Sequence, residues 1–151
     1  MNEEINLRQA TSEDVEDIAV LFRMTIKRNL PYLPELHSPE EDLKFFSNVV
    51  NTQDVIVAQY NDKVVGFCSY TKGWLNHLYI TPGFQDLGIG TSLVNKAKAD
   101  NKELNLWVFQ KNTNAINFYG KNGFELKETT DGKNEEHEPD ARYTWDRTTS
   151  R

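Results

Sequence analysis

The sequence predicts a single mixed α+β domain, in which a central, mostly antiparallel sheet carries helices on both faces. Its 151 residues, 38% of them hydrophobic, suffice for one packed core. Short β-favouring runs alternate with longer stretches whose apolar residues recur at helical spacing. Three strand-like runs also follow one another before a strand–loop–helix unit. This order predicts antiparallel pairs among the consecutive strands and a parallel crossover connection through the helix. We therefore treat residues 1–151 as one domain, with its core at about residues 5–147.

The N-terminal third predicts a short strand and two amphipathic helices. Residues 6–8 suit the strand, and Thr11 suits the N-cap of the first helix. One face of that helix carries Val15, Ile18, Ala19, Phe22 and Ile26. The second helix begins with a capping Ser, a Pro in its first turn and a Glu at the third position, which are Ser38, Pro39 and Glu41.

The rest of the chain predicts six further strands and two helices. Residues 54–60 and 63–71 flank Asn61-Asp62 as a hairpin, and residues 74–80 form the next strand. A helix at 88–99, a strand at 104–108 and a helix at 112–122 follow. Two closing strands, 124–130 and 141–146, flank the acidic segment 131–140, which we expect to be solvated surface.

Composition excludes several classes of function. The net charge is −6 and no Lys/Arg cluster is visible, which disfavours nucleic acid and slightly favours a cationic partner such as an amine. No apolar run reaches the roughly 18 residues of a membrane span, and no signal peptide is visible, so we expect a cytoplasmic protein that does not bind membranes. Cys68 is the only cysteine, and we expect it to be buried packing in a strand. The spacing of His37, His77 and His137 does not suggest a metal site.

A glycine-containing loop between the strand at 74–80 and the next helix is the first candidate site. It reads Gln85-x-x-Gly88-x-Gly90, at a helix mouth whose first N–H groups have no intrahelical partner. Such a loop suits a phosphate or pyrophosphate, although an ordinary tight turn remains the alternative. A P-loop would need a Lys where Thr91 stands, and a Rossmann loop would need a glycine where Leu93 stands.

A second motif follows the strand at 104–108 and reads Asn112-x-x-Ala115-x-x-Phe118-Tyr119-x-x-x-Gly123-Phe124. In order and spacing the two motifs resemble those of the GCN5-related N-acetyltransferase (GNAT) family, Gln/Arg-x-x-Gly-x-Gly/Ala and Asn-x-x-Ala-x-x-Phe-Tyr-x-x-x-Gly-Phe. The resemblance spans most of the chain. It implies the GNAT element order and acyl-CoA held in the V between two splayed parallel strands, here 74–80 and 104–108.

The resemblance also assigns the cofactor-binding residues. The backbone of Leu78, Tyr79 and Ile80 would pair with the pantetheine arm of acetyl-CoA, as an added strand does. Backbone N–H groups of the loop would hold the pyrophosphate, and the loop comprises Gln85, Asp86, Leu87, Gly88, Ile89, Gly90 and Thr91. We expect the Asp86 carboxylate to point outward, away from the phosphates. Asn112, Ala115 and Phe118 would line the cofactor arm.

The implied reaction is direct transfer of an acetyl group from acetyl-CoA to a primary amine in a ternary complex. Tyr119 matches the family's tyrosine beside the sulfur and would act as general acid or thiolate stabiliser, while the Ile80 N–H would serve the oxyanion. His77 is our candidate base, because strand alternation places it on the face of Tyr79 and an ordinary pKa near 6.5 suits proton abstraction. The carboxylates Glu35, Glu41 and Glu136 are the other candidates.

The acceptor cannot be identified from motifs and would be a small-molecule amine or a peptide N-terminus. Candidate acceptor residues are Tyr32, Glu35, His37 and Glu136. The apolar, Pro-punctuated loop 30–37 either packs over the site as part of the acceptor pocket or is a linker docked on the sheet. A homodimer would be compatible with the family. The alternative function is a non-catalytic acyl-CoA sensor, against which the presence of both Asn112 and Tyr119 argues.

Overall fold

The computed structural model describes residues 5–148, so the predicted domain limits at residues 1 and 151 lie outside the described residues. It contains one seven-stranded sheet with the strand order β1-β2-β3-β4-β5-β7-β6. The elements are β1 (Asn6–Gln9), α1 (Val15–Asn29), α2 (Pro39–Thr52), β2 (Asp54–Tyr60), β3 (Lys63–Thr71), β4 (Trp74–Ile80), α3 (Ile89–Ala99), β5 (Glu103–Phe109), α4 (Thr113–Lys121), β6 (Glu125–Thr129) and β7 (Asp140–Asp146). Every predicted element is present and, apart from the start of α1, lies within one or two residues of its predicted ends.

Both predicted helix starts are confirmed as capping boxes. The Ser38 hydroxyl accepts from the Glu41 N–H at 3.1 Å, and the Glu41 carboxylate accepts from the Ser38 N–H at 2.7 Å. Thr11 and Asp14 make the same reciprocal pair, but here a single 3-10 turn, Ser12–Asp14, precedes α1. In both places the side chains satisfy N–H groups that a helix start would leave unpaired.

Two apolar layers cover opposite faces of the sheet. On one face α3 packs Leu93, Val94 and Ala97 against the strands, where the Cys68 side chain is fully buried. On the other face α1 and α2 bury Ile18 and Phe46 against the sheet. Burial raises the pKa of Cys68 to about 12, so the thiol is an inert packing group, as predicted.

The parallel strands β4 and β5 are splayed, as the fold prediction requires. The pairs of β4 with β3 extend from Trp74 to Ile80, whereas within residues 5–148 its pairing with β5 consists of one position, Trp74 with Asn105. Because that pair lies at the start of β4, the remaining residues of the two strands diverge. The backbone at the end of β4 therefore borders an opening in the sheet.

The acidic segment 131–140 is solvated only in part: Asp131, Lys133, Glu135 and His137 are exposed, as expected, whereas the other residues are partly or fully buried. The Asn134 side chain bonds the backbone of Glu138 in both directions, at 2.8 and 3.1 Å. Gln110 donates to the carbonyls of Thr130 and Asp140, at 3.0 and 2.9 Å. These side-chain bonds fold the segment back against β5 and bring its central carboxylates over the sheet. Of the helices within residues 5–148, none has the length and apolar character needed to cross a membrane.

Candidate active site

A cavity of about 660 Å³ fills the opening beside β4, and we call it the fork cavity. It is bounded by the end of β4, the glycine loop, α4 and the last turn of α1. The predicted site residues that line it are Leu78, Tyr79, Ile80, Gln85, Asp86, Gly88, Gly90, Thr91, Asn112, Ala115, Phe118 and Tyr119. Two predicted cofactor residues do not line it: Leu87 is exposed outside it, and the Ile89 side chain is buried in the core.

The two loop glycines serve different purposes. Gly88 is the N-cap of α3 and has a φ of +84°, a conformation that side chains other than glycine rarely adopt. A Cβ there would meet nothing within 4 Å, so the backbone at this position is open to a ligand. A Cβ on Gly90 would instead lie 3.0 Å from the Phe118 ring, so that glycine allows α3 and α4 to pack closely.

The surroundings of the loop suit an anion. No acidic residue occupies the first turn of α3, where the unpaired N–H groups and the helix dipole are positive. The Gln85 side chain donates to the Ile80 carbonyl at 2.9 Å, which fixes the loop to the end of β4. Asp86, an exposed residue with a φ of +66°, lies in the same loop.

α4 and its N-cap bring Tyr119 and Asn112 to the fork cavity. The Tyr119 ring packs against Phe118 and Phe124, with centroids 5.4 and 5.5 Å away. Burial raises the pKa of Tyr119 well above the ordinary value, so its hydroxyl stays protonated and is a hydrogen-bond donor. The side-chain Oδ1 of Asn112 accepts from the Ala115 N–H at 3.3 Å and caps α4, so Asn112 also has a structural role.

Sequence reasoning missed the contribution of α1. Its last turns bring Thr25, Arg28 and Asn29 to the fork cavity. Among the described residues that line the cavity Arg28 is the one cation, and the buried Thr25 hydroxyl has no hydrogen-bond partner among them or elsewhere in residues 5–148. The available signal was that these polar residues flank the predicted apolar face of the helix, immediately before the apolar loop.

A second cavity, of about 510 Å³, adjoins the first, and we call it the aromatic cavity. It lies between α1, α2, loop 30–37, β4 and segment 131–140. The two cavities share Ile26, Leu30 and Tyr79 as lining residues, so they meet at the Tyr79 side of β4. Loop 30–37 forms one wall, which corresponds to the first of its two interpretations.

Three of the four candidate acceptor residues, Glu35, His37 and Glu136, line the aromatic cavity. Tyr32 lines neither of the two cavities. Its hydroxyl is buried without a hydrogen-bond partner in the described part of the chain, and the Lys111 ammonium lies 5.1 Å from its ring centroid.

His77 also lines the aromatic cavity, on the same face of β4 as Tyr79, as strand alternation predicted. Its Nδ1 is hydrogen-bonded to the Ser69 hydroxyl at 2.6 Å. Five aromatic rings surround the imidazole with centroids at 5.3–6.4 Å, those of Phe22, Phe45, Phe46, Phe67 and Tyr79. Burial lowers the pKa of His77 to about 4, which corrects the expected value near 6.5. At neutral pH the ring is uncharged and only weakly basic.

Most carboxylates around the aromatic cavity already have partners. Glu35 pairs with Lys27 at 2.8 Å, Asp42 with Arg23 at 2.7 Å and Glu135 with His37 at 3.0 Å. Glu41 accepts from the Ser38 N–H in the capping box.

Glu136 differs from the other carboxylates of this cavity. It is half-buried, and no hydrogen bond or ion pair joins it to the rest of residues 5–148. Burial, with a smaller contribution from the Glu136 charge, raises the pKa of Tyr79 to about 12. The free carboxylate therefore acts electrostatically where the two cavities meet. In the described part of the chain, no group of three or more His, Cys, Asp or Glu side chains is arranged to hold a metal ion.

Comparison with known proteins places this geometry in a family. A family model described as an acetyltransferase (GNAT) domain matches residues 51–126, half of the chain. An uncharacterised N-acetyltransferase of Methanocaldococcus jannaschii is 27% identical over 83% of this chain, which spans 63% of that protein's length. The peptidyl-lysine N-acetyltransferase YjaB of Salmonella typhimurium is 28% identical over 81% of this chain and 84% of its own.

Solved structures share the fold. The crystal structure of the PaiA N-acetyltransferase from Thermoplasma acidophilum in complex with coenzyme A superposes with a TM-score of 0.76 and 20% identity, covering 95% of this chain and 99% of its own. The family model and the shared fold agree with the two motifs and with the splayed strands. The chain belongs to the GNAT acetyltransferase family.

Proposed function

We propose that this protein is an acetyl-CoA-dependent N-acetyltransferase that transfers the acetyl group directly to a primary amine in a ternary complex. One observation carries the proposal. The fork cavity extends from the open helix mouth at Gly88 to Tyr119, and the aromatic cavity joins it beside Tyr79. A site for an anionic carrier and a second site for an acceptor thus adjoin one another along β4.

The fork cavity fits the cofactor chemically. The loop N–H groups from Gln85 to Thr91 would hold the pyrophosphate, and Arg28 would add the one positive side chain of the cavity. The buried Thr25 hydroxyl has no hydrogen-bond partner within residues 5–148, and a polar arm of the cofactor would satisfy it. The backbone at the end of β4 would pair with the pantetheine, and the Asp86 carboxylate would point away from the phosphates.

In the reaction the amine nitrogen attacks the thioester carbonyl, the C–N bond forms and the C–S bond breaks. The acceptor ammonium first loses a proton to solvent, and the second nitrogen proton of the tetrahedral intermediate ends on the CoA sulfur. The Ile80 N–H would stabilise the oxyanion. The raised pKa of Tyr119 makes its hydroxyl a poor acid but a dependable donor, so we assign it to stabilising the leaving thiolate.

His77 is a weak candidate for the base, because its pKa is lowered to about 4 and because aromatic rings enclose it. We assign it instead to the wall of the acceptor cavity. The loss of the ammonium proton to solvent then depends on the pKa of the acceptor amine itself.

A free-thiol assay with acetyl-CoA and a panel of amines tests the proposal, and calorimetry measures acetyl-CoA binding in parallel. We expect CoA release that depends on both acetyl-CoA and an amine. The buried Cys68 thiol will not contribute to the signal. Acetyl-CoA binding without CoA release from any amine would instead identify an acyl-CoA sensor, and absence of binding would exclude both functions.

A further inference from the structure

The composition of the aromatic cavity specifies an acceptor class, an inference that rests on the proposed function. Its walls combine aromatic rings, among them Phe22, Phe45 and Phe109, with the apolar residues of loop 30–37. Phe45 and Leu36 are 50% and 43% exposed, although both line this concave surface. A volume of about 510 Å³ lies within the range of small-ligand pockets, and apolar walls of this kind gain most from an apolar ligand.

The carboxylates of the aromatic cavity differ in whether they are free to bind a ligand cation. Glu35 and Asp42 have cationic partners within the protein, and Glu135 is paired with the His37 imidazole. The Glu136 carboxylate has no partner within residues 5–148, and it acts on the Tyr79 hydroxyl at the junction of the cavities. A partly buried carboxylate without an ion-pair partner is available to attract the cationic group of a ligand.

The two properties together define the ligand. We propose that the acceptor is a primary amine attached to an apolar group the size of an aromatic ring and lacking a carboxylate, with its ammonium bound by Glu136. The ring occupies the space between Phe22, Phe45 and Phe109, where edge-to-face contacts are available. The ammonium then lies at the Tyr79 junction, where the fork cavity opens. A second carboxylate on the ligand would be repelled by the acidic lining.

Three acceptors distinguish this class from its neighbours: phenethylamine, phenylalanine and an N-acetylated Gly-Lys-Gly peptide. Phenylalanine keeps the ring and the amine but adds a carboxylate. The peptide offers an amine on a flexible stem, the chemistry named in the S. typhimurium relative. We expect kcat/KM for phenethylamine to exceed both others by at least about tenfold, the cost of an unmatched charge or a lost apolar contact.

Substitution of Glu136 tests the ammonium site. Glu136→Gln keeps the shape but removes the charge, and we expect it to weaken phenethylamine binding by about tenfold to a hundredfold without changing the Kd of acetyl-CoA. Binding is measured by calorimetry on protein saturated with CoA, where no turnover occurs. Glu125→Gln, on the exposed strand β6, is the matched control and should leave both affinities unchanged.

The outcomes separate this inference from the proposed function. Equal or faster turnover of phenylalanine or the peptide would overturn the inference and leave the acetyltransferase function in place. Native phenethylamine affinity in Glu136→Gln would do the same. If no amine releases CoA, the proposed function fails, but calorimetry still decides the acceptor site. Phenethylamine binding that depends on Glu136 would sustain the inferred amine site, and absence of phenethylamine binding would overturn it.

Discussion

Trp74 and Asn105 form the single register pair that joins β4 to β5 within residues 5–148. Asn105 is buried, and its side chain is fully occupied. Its Nδ2 donates to the Gly73 carbonyl at 3.2 Å, and its Oδ1 accepts from Arg142 and Thr144 at 2.8 and 2.7 Å. The apex of the fork is therefore fixed by a polar network, since a ladder of strand hydrogen bonds is lacking beyond it.

Asn105→Ala should destabilise the fold, because it removes the side-chain hydrogen bonds by which the buried Asn105 joins Gly73, Arg142 and Thr144. We expect the free energy of unfolding to fall by about 1–3 kcal/mol, measured in urea. Asn95→Ala, at an exposed position of α3, is the control and should change stability by less than about 0.5 kcal/mol. Equal stability of the Asn105 variant and the native protein would show that the network does not hold the apex.

Gly88 and Gly73 permit a matched test of the helix mouth. Both have positive φ, +84° and +81°, and a Cβ on either would meet nothing within 4 Å. Gly88→Leu and Gly73→Leu should therefore cost similar backbone strain, about 1–2 kcal/mol. Only Gly88→Leu should abolish acetyl-CoA binding in calorimetry. Native affinity in that variant, or an equal loss in both, would contradict a phosphate site at this loop.

The fold could be predicted from the sequence because its signals are local. Ser38, Glu41 and Gly88 mark where α2 and α3 begin, and the apolar periodicities identify the buried faces of the elements. The splay of β4 and β5 came from the family resemblance and not from periodicity. No local pattern reports a missing strand pair, since it depends on where distant residues meet.

The site was predicted less completely for the same reason. Arg28 reaches the fork cavity only because α1 ends beside the glycine loop, a contact across distant parts of the chain. The environment of His77 depends on rings from three other elements, so its pKa could not be predicted from its strand position. Segment 131–140 appeared solvated because its charges are visible in sequence, whereas the side-chain bonds of Asn134 and Gln110 are not.

Arg28→Gln should weaken cofactor binding because it removes the one cation that lines the fork cavity. We expect the Kd of CoA to rise about 5- to 20-fold, as for loss of a charge-assisted contact to phosphate, and to depend less on salt. Lys27→Gln is the control: the neighbouring cation lines the aromatic cavity and should not affect CoA affinity. Comparison with dephospho-CoA tells whether Arg28 contacts the 3′-phosphate, since the variant would then bind both cofactors equally.

Tyr119→Phe should lower kcat far more than it weakens acetyl-CoA binding. The hydroxyl is the donor assigned to the leaving thiolate, and loss of one such donor costs on the order of a hundredfold. Steady-state kinetics and calorimetry separate the two effects. Tyr143→Phe, on β7 outside both cavities, should retain native kcat. A native kcat in Tyr119→Phe would remove this residue from the chemistry.

The lowered pKa of His77 predicts the pH dependence of stability. A histidine with a pKa of about 4 in the folded state and 6.5 when unfolded binds its proton more readily in the unfolded chain. Its contribution to stability is therefore complete above pH 6.5 and falls as the pH drops toward 4. Between pH 7.5 and pH 5 the native protein should lose up to about 2 kcal/mol from this group.

His77→Gln isolates that contribution. The variant lacks the titrating group, so its urea-unfolding free energy should fall less over the same interval than that of the native protein. Other titrations, such as those of Asp14 with its lowered pKa and His37 with its raised pKa, are common to both proteins and cancel in the difference. Any break near pH 6.5 in the kcat/KM profile should likewise persist in His77→Gln, because the His77 ring is already neutral there. Equal pH slopes in the two unfolding series would mean that His77 titrates normally, and its candidacy as the general base would return.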